Sequence, residues 1–455
     1  MSSNYRDQWA SVGGHFPAHW HFFKLEELLE NAKGIAVGVM YPGDHTAKGI
    51  PLIKVGDVKD GYIASQPSFF ISPEVDEEYK RTRLNGTELL ITLVGNPGDC
   101  VVVEPHMAGW NAARALAVVR LKDTNLREWL RYILLSKPAK HLIDARLNTT
   151  VQKTLNLKDI RELGIPIPPK HERDVITKII SAIEQKTIVN SDINQTLEQM
   201  AQALFKSWFV DFEPVKAKIA VLETGGSQED ATFAAMRAIS GKDTDALAVF
   251  EHEHPEQYAE IKAMAELFPS AMQDSELGEI PDGWSCKPIS RIVMVKSGYA
   301  FKSKDFTDSG FPVIKIKNIT GDGTVDVDNC QYVSLETVQG LNRFVIKNGD
   351  VLLAMTGATV GKVGVFVNNG FPAYLNQRVA KFECKKELNC NWFIYNIVSR
   401  SDFTSQILST AQGSAQPNIS AKEIENISRV MPLGSLIIAY ENCVSKLYQF
   451  VMYNT

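Results

Sequence analysis

No run of about 18 apolar residues occurs anywhere in the 455-residue chain, so no membrane-spanning helix is expected. The start, Met1 to Trp20, is polar and aromatic and lacks the basic-then-apolar pattern of a secretory signal. There is no CxxC pair. The six cysteines (Cys100, Cys286, Cys330, Cys384, Cys390, Cys443) read as buried free thiols of a cytoplasmic protein, not as zinc ligands or a disulfide frame. All nine histidines lie at or before His254, which leaves the later part of the chain without an imidazole for acid–base or ligand chemistry. A glycine-rich cofactor loop is missing, and so is the Asn/Asp-Pro-Pro-aromatic motif of amino-methyltransferases.

Three near-misses need weighing. Gly357-Ala358-Thr359-Val360-Gly361-Lys362-Val363 imitates a phosphate-binding loop, but it is one residue short between the glycines. It also has Val363 where a hydroxyl would hold magnesium. Glu383-Cys384-Lys385 downstream of Asp350 has the residue types of a nuclease centre, yet the corresponding positions upstream are Val119 and Leu121. His252 and His254 beside Glu251 and Glu253 fit a charged, mobile connector better than a metal site. No catalytic centre and no metal site are expected.

Charge is short on the positive side, with a formal net of −5. It is also uneven: residues 223–280 hold 13 Asp/Glu against 3 Lys/Arg, a net of −10, so the rest of the chain carries +5. That balance is compatible with basic faces on a nucleic-acid protein.

What the chain does have is itself, twice. Pro17-Ala18-His19-Trp20 returns as Pro281-Asp282-Gly283-Trp284, 264 positions later. Gly49-Ile50-Pro51-Leu52-Ile53-Lys54-Val55 returns as Gly310-Phe311-Pro312-Val313-Ile314-Lys315-Ile316, offset by 261. Leu90–Gly95 matches Leu352–Gly357 at 262, and Arg114/Arg378, Gln152/Gln416 and Ile160/Ile424 pair at 264. The order is kept while the offset drifts slightly, as small loop insertions would produce. The period is far too long for a solenoid, so two copies of a whole domain are expected.

Each copy opens with short apolar runs between Gly, Pro and Asp, such as Leu52–Val55, Leu89–Val94, Val101–Val103 and Leu116–Val119, which predict strands. A helix is expected at Leu126–Leu135 and at Asn391–Val398. A short helix-and-strand segment closes each copy at Leu157–Pro168 and Ser420–Pro432. From His171 to about Lys216 there is no proline until Pro214 and no glycine, which predicts a long helix. Its stripe runs Ile176, Ile183, Ile193, Leu197, Met200, Leu204, and a shorter heptad follows at Ile437, Tyr440, Val444, Leu447, Val451. The two stripes are expected to pack on each other, antiparallel; the competing reading packs each helix on its own domain. The helix end carries more aromatics than a two-helix seam can bury. Such a cluster buries itself locally or forms a subunit interface, and Phe205, Trp208, Phe209 and Phe212 are assigned to an interface. The fold expected is α+β: two similar domains joined by two long helices in an antiparallel coiled coil, with approximate two-fold symmetry.

Leu197–Phe212 resembles the central region of type I restriction–modification specificity subunits. Leu267-Phe268-Pro269, followed by Ser275–Trp284, is similar to that family's lead into its second target-recognition domain. Ile165–Pro169 before His171-Glu172-Arg173 resembles its domain-to-helix junction. The resemblance covers nearly the whole chain. It implies target-recognition domains at 1–169 and 279–432, helices at 170–217 and 433–455, and an acidic connector at 218–278. Each domain would read one half of a split double-stranded DNA target. Modification subunits, with S-adenosylmethionine, and restriction subunits, with ATP and Mg, would act as partners; this chain itself would hold no cofactor. The departure is the C-terminal helix, about half the length of the central one. The rival reading is a self-contained DNA methyltransferase or nuclease. Candidate DNA contacts are Lys54, Lys59, Lys80, Arg81 and Arg83 in the first domain, and Lys302, Lys304, Lys315, Lys317 and Asn318 in the second. Arg114 and Arg378 are expected to be structural, because domains reading different sequences should differ where they read.

Overall fold

The computed structural model describes residues 2–59, 61–63, 67–147, 153–368, 372–385, 388–411 and 417–455. It divides into two compact units, residues 1–185 and 186–455.

In the first unit an antiparallel ribbon, His21–Lys24 against Gly164–Ile167, ties the start of the domain to its end. The main sheet is antiparallel, in the order Ile35–Val37, Leu116–Val119, Leu89–Thr92, Cys100–Val102. All residues of Leu89–Thr92 and Leu116–Val119 are buried, the expected state of short continuous apolar runs covered on both faces. Helices Arg127–Leu135 and Lys137–Asp144 add Trp129, Leu130, Leu134 and Ile143 to the same core. A smaller sheet orders Phe70–Ile71, Ile50–Ile53 and Asn111–Ala112, the last pair parallel.

The second unit contains the same plan. Ser285–Pro288 pairs with Ser428–Met431, and the partners Ser285↔Met431 and His21↔Ile167 are each separated by 264 positions from one domain to the other. Val293–Ser297, Val379–Cys384, Val351–Ala354 and Val363–Val365 repeat the main sheet's order, with Gly323–Thr324 added at the edge. Gly38 and Gly298 mark equivalent close approaches: a Cβ would fall 2.1 Å from the Ala112 carbonyl oxygen and 2.0 Å from that of Leu375. Only glycine fits there.

The ladder corrects one pairing of the repeat. The Ala113 N–H donates to Ile53 and the Leu93 N–H to Ala115; the equivalent bonds run from Asn376 to Ile314 and from Met355 to Arg378. The turn Ala113–Ala115 therefore corresponds to Asn376–Arg378, and Arg114 occupies the place of Gln377, one residue from Arg378. Gln152 and Gln416 lie outside the described residues.

A 40-residue helix, Lys170–Phe209, begins in the first unit and ends in the second. It stops short of Lys216 because Phe212 takes a left-handed conformation, φ 57°, just before Pro214. The acidic connector is not mobile chain. It forms helices Glu213–Glu223, Gln228–Ser240, Thr244–Glu253 and Pro255–Glu266, which bury Val215, Ala231, Ala235, Met236 and Leu247. Its net charge hid a helical pattern of small apolar residues, and Ser227 and Asp243 cap two of the helices.

The C-terminal helix, Gly434–Asn454, lies antiparallel to the last turns of the long one. Asn194 Nδ2 donates to the Val451 carbonyl at 3.2 Å, Asn454 donates to Asn194 Oδ1 at 3.1 Å, and the Tyr440 hydroxyl donates to the Ala201 carbonyl at 3.1 Å. Ile437, Tyr440 and Val444 are buried, and Leu447 and Val451 half-buried. On the long helix the seam is instead Asn194, Ala201, Phe205 and Trp208. Leu197 and Leu204 are half-buried at its border, whereas Ile193 and Met200 are exposed. The buried stripe lies one residue later than the heptad predicts, about 100° round the helix. Ile183 is also exposed, and Ile176 packs against the first domain's core.

Candidate nucleic-acid interface

In both domains a 3₁₀ turn follows the strand that carries the repeated Pro-x-Ile-Lys: Val55–Asp57 after Ile53, and Ile316–Asn318 after Ile314. Asp57 Oδ2 accepts the Lys54 N–H at 2.8 Å, and Asn318 Oδ1 accepts that of Lys315 at 3.0 Å. Each turn holds its lysine over an aromatic ring. The Lys54 ammonium lies 3.6 Å from the Phe69 centroid and Lys315 lies 3.7 Å from that of Phe306, two cation–π contacts at one repeated position. Lys315 also donates to Gln331. Burial, and then the charge of Lys317, hold its ammonium below the ordinary lysine range.

Among the remaining candidates, Lys302, Lys304 and Lys317 are exposed. The Lys59 side chain lies outside the described residues. Asn318 is 1% exposed; its amide donates to the carbonyls of Asp326 and Asn329, so it builds the turn and has nothing left for a base edge. Arg83 is likewise committed, to Asp76 and Glu77. Lys80 pairs with Glu77 at 2.9 Å, and Arg81 donates to the Lys33 carbonyl at 3.1 Å, both at the surface.

Beneath Lys80–Arg83 lies a polar network that sequence reasoning missed. Glu88, fully buried, accepts the N–H groups of Asn85, Gly86 and Thr87 as well as Arg120 Nε. Arg120 in turn donates to the carbonyls of Arg81 and Arg83 at 2.8 Å each. Asn111 connects Asp76 to Thr82. A loop so tied presents its outward side chains from a rigid base. The separation of Glu88 from Arg120 by 32 positions left no local signal.

Arg114 and Arg378, expected to be structural, are both exposed, and neither guanidinium bonds to a described residue. Both stand on the turn beside the lysine strand, since Ala113 and Asn376 donate to Ile53 and Ile314. In each domain a ring-held lysine and an arginine with no partner among the described residues thus stand on adjacent, hydrogen-bonded segments.

The aromatic cluster is not an exposed interface. Phe205, Trp208, Phe209 and Phe212 are between 1% and 9% exposed. They pack on Tyr440, Phe393, Phe268 and Trp284. Sequence spacing could not show that the connector and the C-terminal helix would cover them.

The near-miss motifs are accounted for by neighbours. The Gly357–Val363 stretch leads into a strand, not a helix, so it offers no helix N-terminus to a phosphate; Lys362 bonds the Thr320 carbonyl at 3.0 Å. Glu383 pairs with Lys296, and Asp350 with Lys381 at 3.2 Å. Among the described residues no group of three or more His, Cys, Asp or Glu side chains could hold a metal, and no described helix is long and apolar enough to cross a membrane.

The type I restriction modification DNA specificity domain matches residues 17–199 and 281–432, both copies of the repeat. The chain belongs to that family. As a specificity subunit it is a DNA-recognition component and not the catalytic one. It is 30% identical to the type I restriction enzyme HindI specificity subunit of Haemophilus influenzae over 72% of this chain and 73% of that one. It is 23% identical to the MjaVIII specificity subunit of Methanocaldococcus jannaschii over 91% and 83%. Among solved structures, a type I S subunit from M. genitalium covers 96% of this specificity subunit and 91% of its own chain, at 13% identity and a TM-score of 0.48.

Proposed function

We propose that each recognition domain reads one half of a bipartite double-stranded DNA target and that the helices fix the separation of the two halves. The observation that carries this reading is the repeat itself: two domains share ladder, register and a lysine held over a ring, yet differ in the loops around that lysine. Lys54, Lys80 and Arg81 in the first domain, and Lys302, Lys304, Lys315 and Lys317 in the second, are the contacts we assign, phosphates first and base edges where the loops differ. Lys59 stays on that list from the sequence alone. Modification subunits, binding S-adenosylmethionine, would dock on the helices, where Val189, Ile193 and Met200 leave apolar surface in solvent. Restriction subunits would bring ATP and Mg, and the complex would work in the cytoplasm, on the cell's DNA.

The test is an exchange. Residues 285–432 are replaced by the second domain of another specificity subunit, and the methylome of cells carrying the chimaera is sequenced. A bipartite motif with only one half changed is the expected result. Change in both halves overturns independent reading.

A further inference from the structure

The second recognition domain carries a cleft of about 350 Å3 lined by Met355, Thr356, Gln377, Arg378, Pro417 and Asn418. Its walls are fixed by backbone: Met355 donates to the Arg378 carbonyl, Ile419 to Met355, and Gly357 to Pro417, each at 3.0 Å. Two of its polar groups stand out. The Arg378 side chain is exposed and bonds to no described residue. Thr356 is 9% exposed, and its buried hydroxyl has no hydrogen-bond partner among the described residues. Such an orphan is uncommon in a folded protein and calls for a partner that arrives from outside.

The chemistry of the lining narrows that partner. A guanidinium, a hydroxyl and two carboxamides converge, with no carboxylate among the lining residues, so the site suits an anion with several acceptor oxygens. Its position narrows it further, because Asn376, at the start of the same turn, bonds the strand that delivers Lys315. The first domain carries Arg114 on the equivalent turn, also exposed and bonded to no described residue, while Val94 stands where the second domain has Thr356. Two halves of a split target differ in bases and share phosphates. A cation kept on one turn in both readers therefore matches what the halves have in common.

We propose that this cleft anchors a phosphate of the DNA backbone: Arg378, helped by Thr356, holds the second domain on the duplex without reading a base, and Arg114 does the same for the first. The proposal rests on the DNA-reading function above. To test it, the chain assembled with its modification subunits is titrated with a cognate and a scrambled duplex across a salt series. R378Q is expected to weaken both duplexes alike, by about 3- to 10-fold, and to reduce the log–log salt slope by about 0.9. The preference for cognate DNA should stay unchanged. R114Q should behave the same way, and T356V should show a smaller loss. Thermal unfolding of each variant reports whether the fold is intact. A changed preference at one half-site makes Arg378 a base reader and overturns the anchor; wild-type affinity and slope in R378Q overturn it as well. Inorganic phosphate is the control probe: if it stabilises the wild type but not R378Q while both bind DNA equally, the cleft is a free-anion site instead. No salt-dependent DNA binding by the wild type would remove the underlying reading, and the anchor with it.

Discussion

In the first domain the long helix is held by charge. Arg131, with its side chain 5% exposed, makes a two-pronged contact with Glu184 at 3.1 and 2.6 Å and bonds Glu128 with its Nε. The Tyr132 hydroxyl joins at 2.9 Å, and further back Trp20 and His19 share the two oxygens of Glu172. In the second domain the C-terminal helix is held by rings. Trp392 stacks on Tyr448 with centroids 4.1 Å apart and planes 11° from parallel, and Phe205, Phe209, Phe393 and Tyr440 form one aromatic cluster beside it. The repeated tryptophans show the contrast at a single position: Trp20 donates to Glu172 at 2.9 Å, whereas the Trp284 N–H is buried between Phe209 and Phe212 with no partner among the described residues. Duplication preserved strand order and register while the anchoring chemistry diverged.

The largest expected effect breaks the two anchorages. Glu184→Ala strips the buried Arg131 of its two-pronged partner and leaves it Glu128 alone, at a cost of about 3 kcal/mol, and Tyr448→Ala removes a buried ring at a cost of about 3–5 kcal/mol. The difference lies in rescue: adding Arg131→Met should restore most of the first loss, while no second apolar truncation restores the other. Urea unfolding of the single and double variants reads this directly, and failure of Arg131→Met to rescue would put the helix attachment elsewhere.

A smaller effect depends on pH. Glu441, 1% exposed, accepts the Phe393 N–H at 2.7 Å, and burial pushes its carboxyl up to about 7. The folded state therefore keeps a proton that the unfolded chain releases near pH 4.5. Its contribution is complete below that point and is lost as pH rises through about 7, a change on the order of 3 kcal/mol. Glu441→Gln keeps the acceptor and should flatten the decline, leaving the variant more stable than wild type at pH 8. Parallel stability–pH curves for the two proteins would refute this.

Smallest is the tryptophan pair. Trp20→Phe should lower the melting temperature more than Trp284→Phe, since only the first loses a hydrogen bond. Equal shifts would mean that the N–H of Trp20 contributes nothing.

Much of this was legible because it is local or repeated. Short continuous apolar runs between Gly, Pro and Asp gave the strands, Asn391–Val398 gave a helix to the residue, and the shared Trp and Pro-x-Ile-Lys segments gave the duplication. What escaped depends on distant partners. The long helix has two candidate stripes one residue apart, and the choice between them is made by Tyr440 and Asn454, some 250 positions away. Phe205 and Trp208 look like an interface until the connector, read as mobile from its charge, is seen folded over them. Among the candidate contacts, Asn318 and Arg83 have the right chemistry for DNA but spend it on their own loops, while Arg114 and Arg378, which the repeat marks as structural, bond to no described residue.

Each recognition domain ends where it begins, because the ribbons His21–Lys24/Gly164–Ile167 and Ser285–Pro288/Ser428–Met431 lay its first and last strands side by side. A segment whose two cut ends are neighbours can be exchanged for another without parting the chain on either side, provided the newcomer also meets the helix contacts made here by Arg131 and Trp392. On the proposed reading, such an exchange would carry one half of the specificity with it.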